Sequence, residues 1–138
     1  MTAFVLDASV ALSWCFEDEA DAAGDAVLRK LATGSAAVPA VWPLEVTNVL
    51  LGAERRGRIT PAESARFLAL LESLPIEVDA HTAARAPREV LTLARAHGLT
   101  SYDAAYLELA ARTGSAIATR DGALAAAAAK LGLRLLMG

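Results

Sequence analysis

The feature that most constrains the fold is a short apolar run at residues 3–6, which ends directly at Asp7. Four consecutive apolar residues, including one aromatic and one β-branched side chain, are too few for a helix and are typical of a strand buried on both faces. In a small domain, a strand of this kind is a central strand of a parallel sheet. Ligands bind in the crevice outside the carboxyl ends of parallel strands, so we expect Asp7 to lie at a functional site.

The length and composition favour one domain spanning residues 1–138. Apolar residues make up 55% of the chain, but no uninterrupted apolar run approaches the roughly 20 residues that a membrane span needs, so we expect no membrane association. The amino terminus carries neither a basic leader nor a cleavage site, and Cys15 is the single cysteine. These features predict a soluble, cytoplasmic protein.

The alternation of elements predicts an α/β three-layer sandwich with a central, mainly parallel sheet. Turn residues and helix caps separate the elements; Thr60 to Glu63, for example, has the spacing of a capping box. Parallel neighbours need long crossover connections, and helices fill those connections here. The predicted strands are residues 3–6, 36–38, 76–78, 116–119 and 133–137. The predicted helices are residues 10–16, 20–31, 43–56, 61–73, 86–97, 101–113 and 122–130. Pro87 falls in the first turn of the helix predicted over 86–97.

Four carboxylates fall at the same edge of this predicted sheet. Asp7 and Asp121 closely follow strands, whereas Glu45 and Asp103 fall in the first turns of helices. Any one of them is explained equally well as a helix N-terminal residue that stabilises the helix dipole. Four ionised groups brought together, however, repel one another unless a cation lies between them, and an all-oxygen ligand set favours Mg²⁺ or Mn²⁺.

Two hydroxyl residues lie two positions from strand-end acids. Ser9 follows Asp7, and Thr119 precedes Asp121. We expect these hydroxyls to position a water molecule or a carboxylate in the second shell of a metal site. Local capping at the strand ends is an equally good explanation.

Taken together, four segments of the chain resemble the PIN domain. They are residues 5–9 (Val-Leu-Asp-Ala-Ser), 43–48 (Pro-Leu-Glu-Val-Thr-Asn), 99–106 (Leu-Thr-Ser-Tyr-Asp-Ala-Ala-Tyr) and 118–121 (Ala-Thr-Arg-Asp). Within that family, the chain is similar to the VapC toxins of bacterial toxin–antitoxin pairs. The match extends over nearly the whole chain in order and spacing.

The resemblance implies a PIN-like fold and a Mg²⁺- or Mn²⁺-dependent endoribonuclease that hydrolyses RNA with a metal-activated water. Asp7, Glu45, Asp103 and Asp121 match the family's four catalytic and metal-binding acids. Asp7 would be the central ligand, Asp103 and Asp121 would complete the metal site, and Glu45 would lie near a second metal or the water. Leu124 departs from the family pattern, because many relatives carry an aromatic residue shortly after the last acid.

The resemblance also implies partners. These are an RNA substrate, a cognate VapB-type antitoxin and a second copy of the chain in a homodimer. The basic side chains are almost all arginine, whose planar fork suits phosphate, although the net charge is -3. Candidate RNA contacts are Arg55, Arg56, Arg58, Arg88 and Arg120.

A cluster of large apolar residues in the first helices has two explanations. Trp14, Cys15, Phe16, Val49 and Leu50 either form an exposed groove for an amphipathic segment of the antitoxin or belong to the core.

Other functional classes fit the acid pattern less well. A phosphorelay receiver needs paired acids at the first strand, and a haloacid-dehalogenase-like phosphatase needs an aspartate where Ser9 stands. The remaining alternative is a catalytically silent PIN-like domain that binds RNA or a protein partner without cleavage.

Overall fold

The computed structural model describes residues 3–137 and contains a four-stranded parallel sheet. The strands are β1 (Ala3–Leu6), β2 (Ser35–Val38), β3 (Ile76–Val78) and β4 (Ala116–Ala118), in the spatial order β3-β2-β1-β4. All pairings are parallel, so the predicted α/β fold with a central parallel sheet is confirmed. The predicted domain limits include residues 1, 2 and 138, which lie outside the described residues, and those limits stay a prediction.

Strand β1 lies in the middle of the sheet, as its apolar sequence predicts. Val5 pairs with Ala37 of β2 on one side and with Ile117 of β4 on the other. Successive side chains of a strand point to opposite faces, yet Phe4, Val5 and Leu6 are all at most 2% exposed. Helices therefore cover the strand on both faces.

The helices fill the crossovers and flank the sheet. They are α1 (Ala8–Ser13), α2 (Ala22–Lys30), α3 (Trp42–Arg55), α4 (Pro61–Ser73), α5 (Thr82–Arg85), α6 (Leu91–His97), α7 (Ser101–Thr113) and α8 (Gly122–Lys130), with a 3₁₀ turn at Glu17–Glu19 and a π-helical turn at Ala86–Val90. No helix within the described residues has the length and apolar character needed to cross a membrane.

Local capping sets several of these boundaries. The Thr60 hydroxyl accepts a hydrogen bond from the Glu63 backbone N–H, and the Glu63 carboxylate accepts one from the Thr60 backbone N–H. This capping box starts α4 where the sequence predicts it. The Thr100 hydroxyl accepts a hydrogen bond from the Asp103 backbone N–H and starts α7 in the same way.

Two predicted elements differ from the structure. We expected a regular helix beginning near Ala86, but the helical run begins at Thr82 and passes through Pro87 in a π-helical turn. Proline has no N–H to donate, and a wider turn accommodates the missing bond. The predicted final strand, 133–137, is reduced to a single parallel bridge between Leu135 and Ile117.

The chain order creates a crevice at the carboxyl edge of the sheet. From β1 the chain proceeds to β2 and β3 on one side, and it reaches β4 on the other side only at the end. The Asp7 backbone N–H donates to the Ala118 carbonyl (2.9 Å) and joins the ends of β1 and β4. Such a reversal of strand order is where open parallel sheets bind ligands.

Candidate functional site

The four predicted acids all lie at this carboxyl edge. Asp7 follows β1, and Asp121 lies three residues beyond the end of β4. Glu45 and Asp103 lie in the first turns of α3 and α7. The fold therefore presents all four carboxylates on the side of the sheet where the sequence places them.

Asp7 is held at one of its two oxygens. Its side chain is buried, and Oδ2 accepts hydrogen bonds from the Ser9 hydroxyl (2.8 Å) and from the Thr119 hydroxyl (2.6 Å). Both hydroxyls predicted to position a carboxylate thus contact the same oxygen. Among residues 3–137, no side chain donates a hydrogen bond to Oδ1 of Asp7, which leaves that oxygen open.

The alternative of simple helix capping applies to one of the four acids. Oδ1 of Asp121 accepts hydrogen bonds from the backbone N–H groups of Ala123 (2.8 Å) and Leu124 (3.1 Å), so Asp121 caps α8. Asp7 precedes α1 without a side-chain capping bond, and Thr100 rather than Asp103 caps α7. Leu124, the departure from the family pattern, is fully buried and supplies one of the capping N–H groups.

Glu45 is held by a residue that our sequence analysis did not single out. The hydroxyl of Tyr106 donates to Oε1 of Glu45 at 2.5 Å, and the same hydroxyl accepts from the backbone N–H of Ala8 at 3.4 Å. Tyr106 is fully buried and lies one turn after Asp103 on α7. That spacing, three residues along a helix, was the available signal, because it places Tyr106 on the same face as Asp103.

The protonation behaviour of two acids shows that the carboxylates influence one another. Burial raises the pKa of Asp103, and the negative charges of Asp121 and Asp7 raise it further. Burial also raises the pKa of Glu45, with added contributions from the charges of Asp7 and Asp103, against an opposing hydrogen bond from Tyr106. None of the ion pairs formed within residues 3–137 involves these four acids. The site is therefore an acidic cluster that no cationic side chain among residues 3–137 pairs with.

The donor chemistry of this cluster fits a hard divalent cation. Asp7 and Glu45 each have one oxygen held by the protein and a second oxygen that receives no hydrogen bond from the described residues, and Asp121 has Oδ1 held by backbone N–H groups. Oxygen-only ligands of this kind favour Mg²⁺ and Mn²⁺ over zinc. Within the described part of the chain, however, no three His, Cys, Asp or Glu side chains are already grouped as a metal site. The fit therefore depends on donor type and charge, not on a preformed coordination shell.

The predicted RNA-contact arginines are dispersed. Arg55 and Arg56 lie exposed at the end of α3, and Arg88 lies exposed in the π-helical turn. Arg58 forms ion pairs with Asp18 and Glu19, and its guanidinium lies over the Phe16 ring. Arg120 forms a two-pronged ion pair with Asp21 (2.7 and 2.8 Å). The guanidinium groups of both arginines are therefore already paired with carboxylates.

Our sequence analysis missed a partly buried ion-pair network centred on Glu108. Arg112 contacts Asp79 at 2.7 Å and Glu108 at 2.9 Å, and Arg85 contacts Glu108 at 3.3 Å. Asp79 follows β3, and it also accepts a hydrogen bond from the Thr82 hydroxyl. The network attaches α7, which carries Asp103, to the end of β3. Asp79 was detectable as a further strand-end acid, but its arginine partner 33 residues away had no local signal.

The hypothesis of an exposed apolar groove in the first helices is wrong for most of its residues. Phe16 and Leu50 are buried in the core at 4% and 2% exposure, and Trp14 packs against that core and donates its indole N–H to the Gly24 carbonyl. Cys15 is partly buried against the same core. Of these five residues only Val49 is exposed, at 38%.

Comparisons with known proteins agree with this architecture. The family model described as the PIN domain matches residues 4–130. Ribonuclease VapC3 from Pyrobaculum aerophilum is 36% identical over 81 residues, which cover 59% of this chain and 62% of that protein, so the match spans about three fifths of the relative.

Solved structures resemble the fold over most of its length. The crystal structure of PAE2754 from Pyrobaculum aerophilum has a TM-score of 0.67 and 27% identity, and the match covers 91% of this chain and 79% of that one. VapBC2 from Rickettsia felis, solved with a DNA fragment from the promoter, has a TM-score of 0.67 at 13% identity, with 97% of each chain covered. A toxin–antitoxin complex from Klebsiella pneumoniae has a TM-score of 0.58 at 15% identity, with 86% of each chain covered. The last two support the fold alone.

Proposed function

Since this chain belongs to the PIN-domain family, we propose that it is a divalent-metal-dependent endoribonuclease and the toxin of a type II toxin–antitoxin pair. The observation that carries the proposal is the unneutralised acidic cluster at the β1/β4 crevice, formed by Asp7, Glu45, Asp103 and Asp121. The 36% identical relative from Pyrobaculum aerophilum, described as a ribonuclease, supports the same activity.

The acids have different tasks in this proposal. Asp7 would be the central ligand, because Ser9 and Thr119 hold Oδ2 and orient the open Oδ1. Asp121 and Asp103 would complete the ligand set, and Glu45 would act on the attacking water or hold a second cation. Bound Mg²⁺, for which Mn²⁺ substitutes, would lower the pKa of a water and stabilise the leaving oxygen of a phosphodiester.

The protein's own groups then orient the reaction. The hydroxyls of Ser9 and Thr119 fix the Asp7 carboxylate, and capping of α8 fixes Asp121. With water as the attacking group, the downstream product carries a 5′-phosphate. A mechanism in which the RNA 2′-hydroxyl attacks leaves a 2′,3′-cyclic phosphate instead.

Arginine supplies the RNA contacts in the proposal. Arg55, Arg56 and Arg88 are exposed and available to phosphate. Arg58 and Arg120 reach phosphate only by exchanging their present carboxylate partners.

The partners proposed for this toxin are a VapB-type antitoxin and a second copy of the chain. The toxin–antitoxin names of structural neighbours support the antitoxin, and the family resemblance supports the homodimer. The apolar residues of the first helices do not form the predicted antitoxin groove, because most of them are buried in the core or packed against it. We place the activity in the cytoplasm, where a single thiol such as Cys15 stays reduced.

Cleavage mapping tests the proposed function. Purified protein is incubated with total RNA in Mg²⁺, in Mn²⁺ and in EDTA, beside the Asp7→Asn variant prepared in parallel. We expect cuts with 5′-phosphate ends in either metal, none in EDTA, and a loss of several orders of magnitude in the variant. RNA binding without any cutting would favour the catalytically silent alternative, and equal cleavage by the variant would reveal a contaminating nuclease.

A further inference from the structure

Tyr106 joins three parts of the site through one hydroxyl group. It donates to Oε1 of Glu45, 61 residues away, and accepts from the backbone N–H of Ala8, 98 residues away. Ala8 directly follows Asp7, and Tyr106 itself lies three residues after Asp103 on α7. The hydroxyl is thus a fixed point between the start of α1, α3 and α7.

The packing of Tyr106 makes that fixed point rigid. The side chain is 0% exposed and belongs to the main hydrophobic core, so its ring cannot turn away without opening that core. A phenol is protonated at neutral pH, so the Tyr106 hydroxyl has a hydrogen to donate. A buried phenol of this kind needs a hydrogen-bond partner, and Glu45 is the acceptor available to it.

Glu45, in contrast, is not held by its own helix. It lies in the first turn of α3, is only partly buried, and makes no ion pair within residues 3–137. A free glutamate side chain of this kind would sample several rotamers. The hydrogen bond from Tyr106 occupies Oε1 and leaves Oε2 as the oxygen that faces other groups.

We propose that Tyr106 is a positioning residue that holds Glu45 in the orientation needed for metal binding and catalysis. The inference rests on the proposed function, because it assigns Glu45 to the metal site. Partners that orient a ligating carboxylate typically change metal affinity or activity by about 10- to 100-fold when they are removed.

The test is a double-mutant cycle on Mn²⁺ binding, measured by calorimetry with the full-length protein. Tyr106→Phe removes the hydroxyl and keeps the ring, and we expect it to weaken Mn²⁺ binding by about 10-fold or more. In a Glu45→Gln background, the same change should add less than about twofold, because the two residues act as one unit. An equal loss in both backgrounds would overturn the inference, since Tyr106 would then act through the fold or through Ala8.

Tyr102→Phe is the matched control. Tyr102 lies on the same helix, is 60% exposed, and loses the same hydroxyl group on mutation. We expect its Mn²⁺ affinity to equal that of the wild type. Chemical denaturation of each variant shows whether the fold is intact.

Two further readouts separate this inference from the proposed function. A crystal structure of Tyr106→Phe should show the Glu45 carboxylate displaced or in several conformers, and an unchanged carboxylate would refute the inference whether or not metal binds. If RNA cleavage is found, the variant should lower kcat by about 10- to 100-fold with KM within about twofold. Absence of cleavage in the wild type, with the cycle intact, would refute the nuclease and leave the positioning role standing.

Discussion

Replacing Asp103 by asparagine distinguishes a metal-site acid from a helix N-terminal acid. In the metal-free protein, Asp103 has a raised pKa because it is partly buried near the charges of Asp121 and Asp7. At a partly solvated site, repulsion between like charges is on the order of 1.5 kcal/mol. The opposing term, the loss of the charge–dipole interaction at the start of α7, is about 0.3 to 1 kcal/mol.

The balance predicts that Asp103→Asn is more stable than the wild type in EDTA. The expected gain of about 0.5 to 1 kcal/mol corresponds to a rise in Tm of about 2 to 4 °C for a chain of this length. In Mg²⁺ the order reverses, because ligand at ten times its dissociation constant stabilises the wild type by about 1.4 kcal/mol. The variant, which lacks one ligand, should respond much less.

Thermal melts of both proteins in EDTA and in millimolar Mg²⁺ provide the assay. Asp25→Asn is the control, because Asp25 is an exposed acid in the first turn of α2, outside the cluster. It should lose a few tenths of a kcal/mol, which is about the dipole term alone, and keep the full Mg²⁺ response. Equal Mg²⁺ responses of the wild type and Asp103→Asn would refute the assignment of Asp103 as a ligand.

Three further predictions concern pH, the buried network and assembly. Glu45 and Asp103 have raised pKa values in the folded protein, so the folded state binds more protons than the unfolded state. The stability that these two acids contribute therefore falls as the pH rises from the ordinary carboxyl range through the raised pKa values. Melts in EDTA should therefore show the wild type gaining stability between pH 7 and pH 5 relative to a variant with both acids amidated, and parallel profiles would contradict the shifts. Arg112→Lys should lower the free energy of unfolding in urea by about 1 to 3 kcal/mol, because a lysine cannot contact Asp79 and Glu108 together; a change below about 0.5 kcal/mol would mean that the network adds nothing to stability. Light scattering at micromolar concentration should give the mass of a dimer, and a monomer would count against the proposed assembly.

Local sequence rules predicted the parts of this protein that depend on neighbouring residues. The apolar run ending at Asp7 gave the central strand, and Thr60 and Thr100 gave the starts of α4 and α7. The four acids could be assigned to one edge of the sheet because parallel strands end on the same side. In each case the determining interactions lie within a few residues of one another, so the sequence order alone contains them.

Packing decided what depends on residues far apart in the chain. The contact of Tyr106 with Glu45 and the core position of Phe16 follow from how helices lie against the sheet, which no local pattern specifies. The predicted strand 133–137 forms only one bridge, between Leu135 and Ile117, and that too is a contact between segments that the local sequence pattern does not specify. Sequence periodicity shows that a side chain is apolar or acidic, but hydrogen bonds across 61 and 98 positions exist only once α1, α3 and α7 are packed together. The sequence therefore determined which chemistry lies at the sheet edge, and the tertiary structure decided which oxygens are held and which remain open.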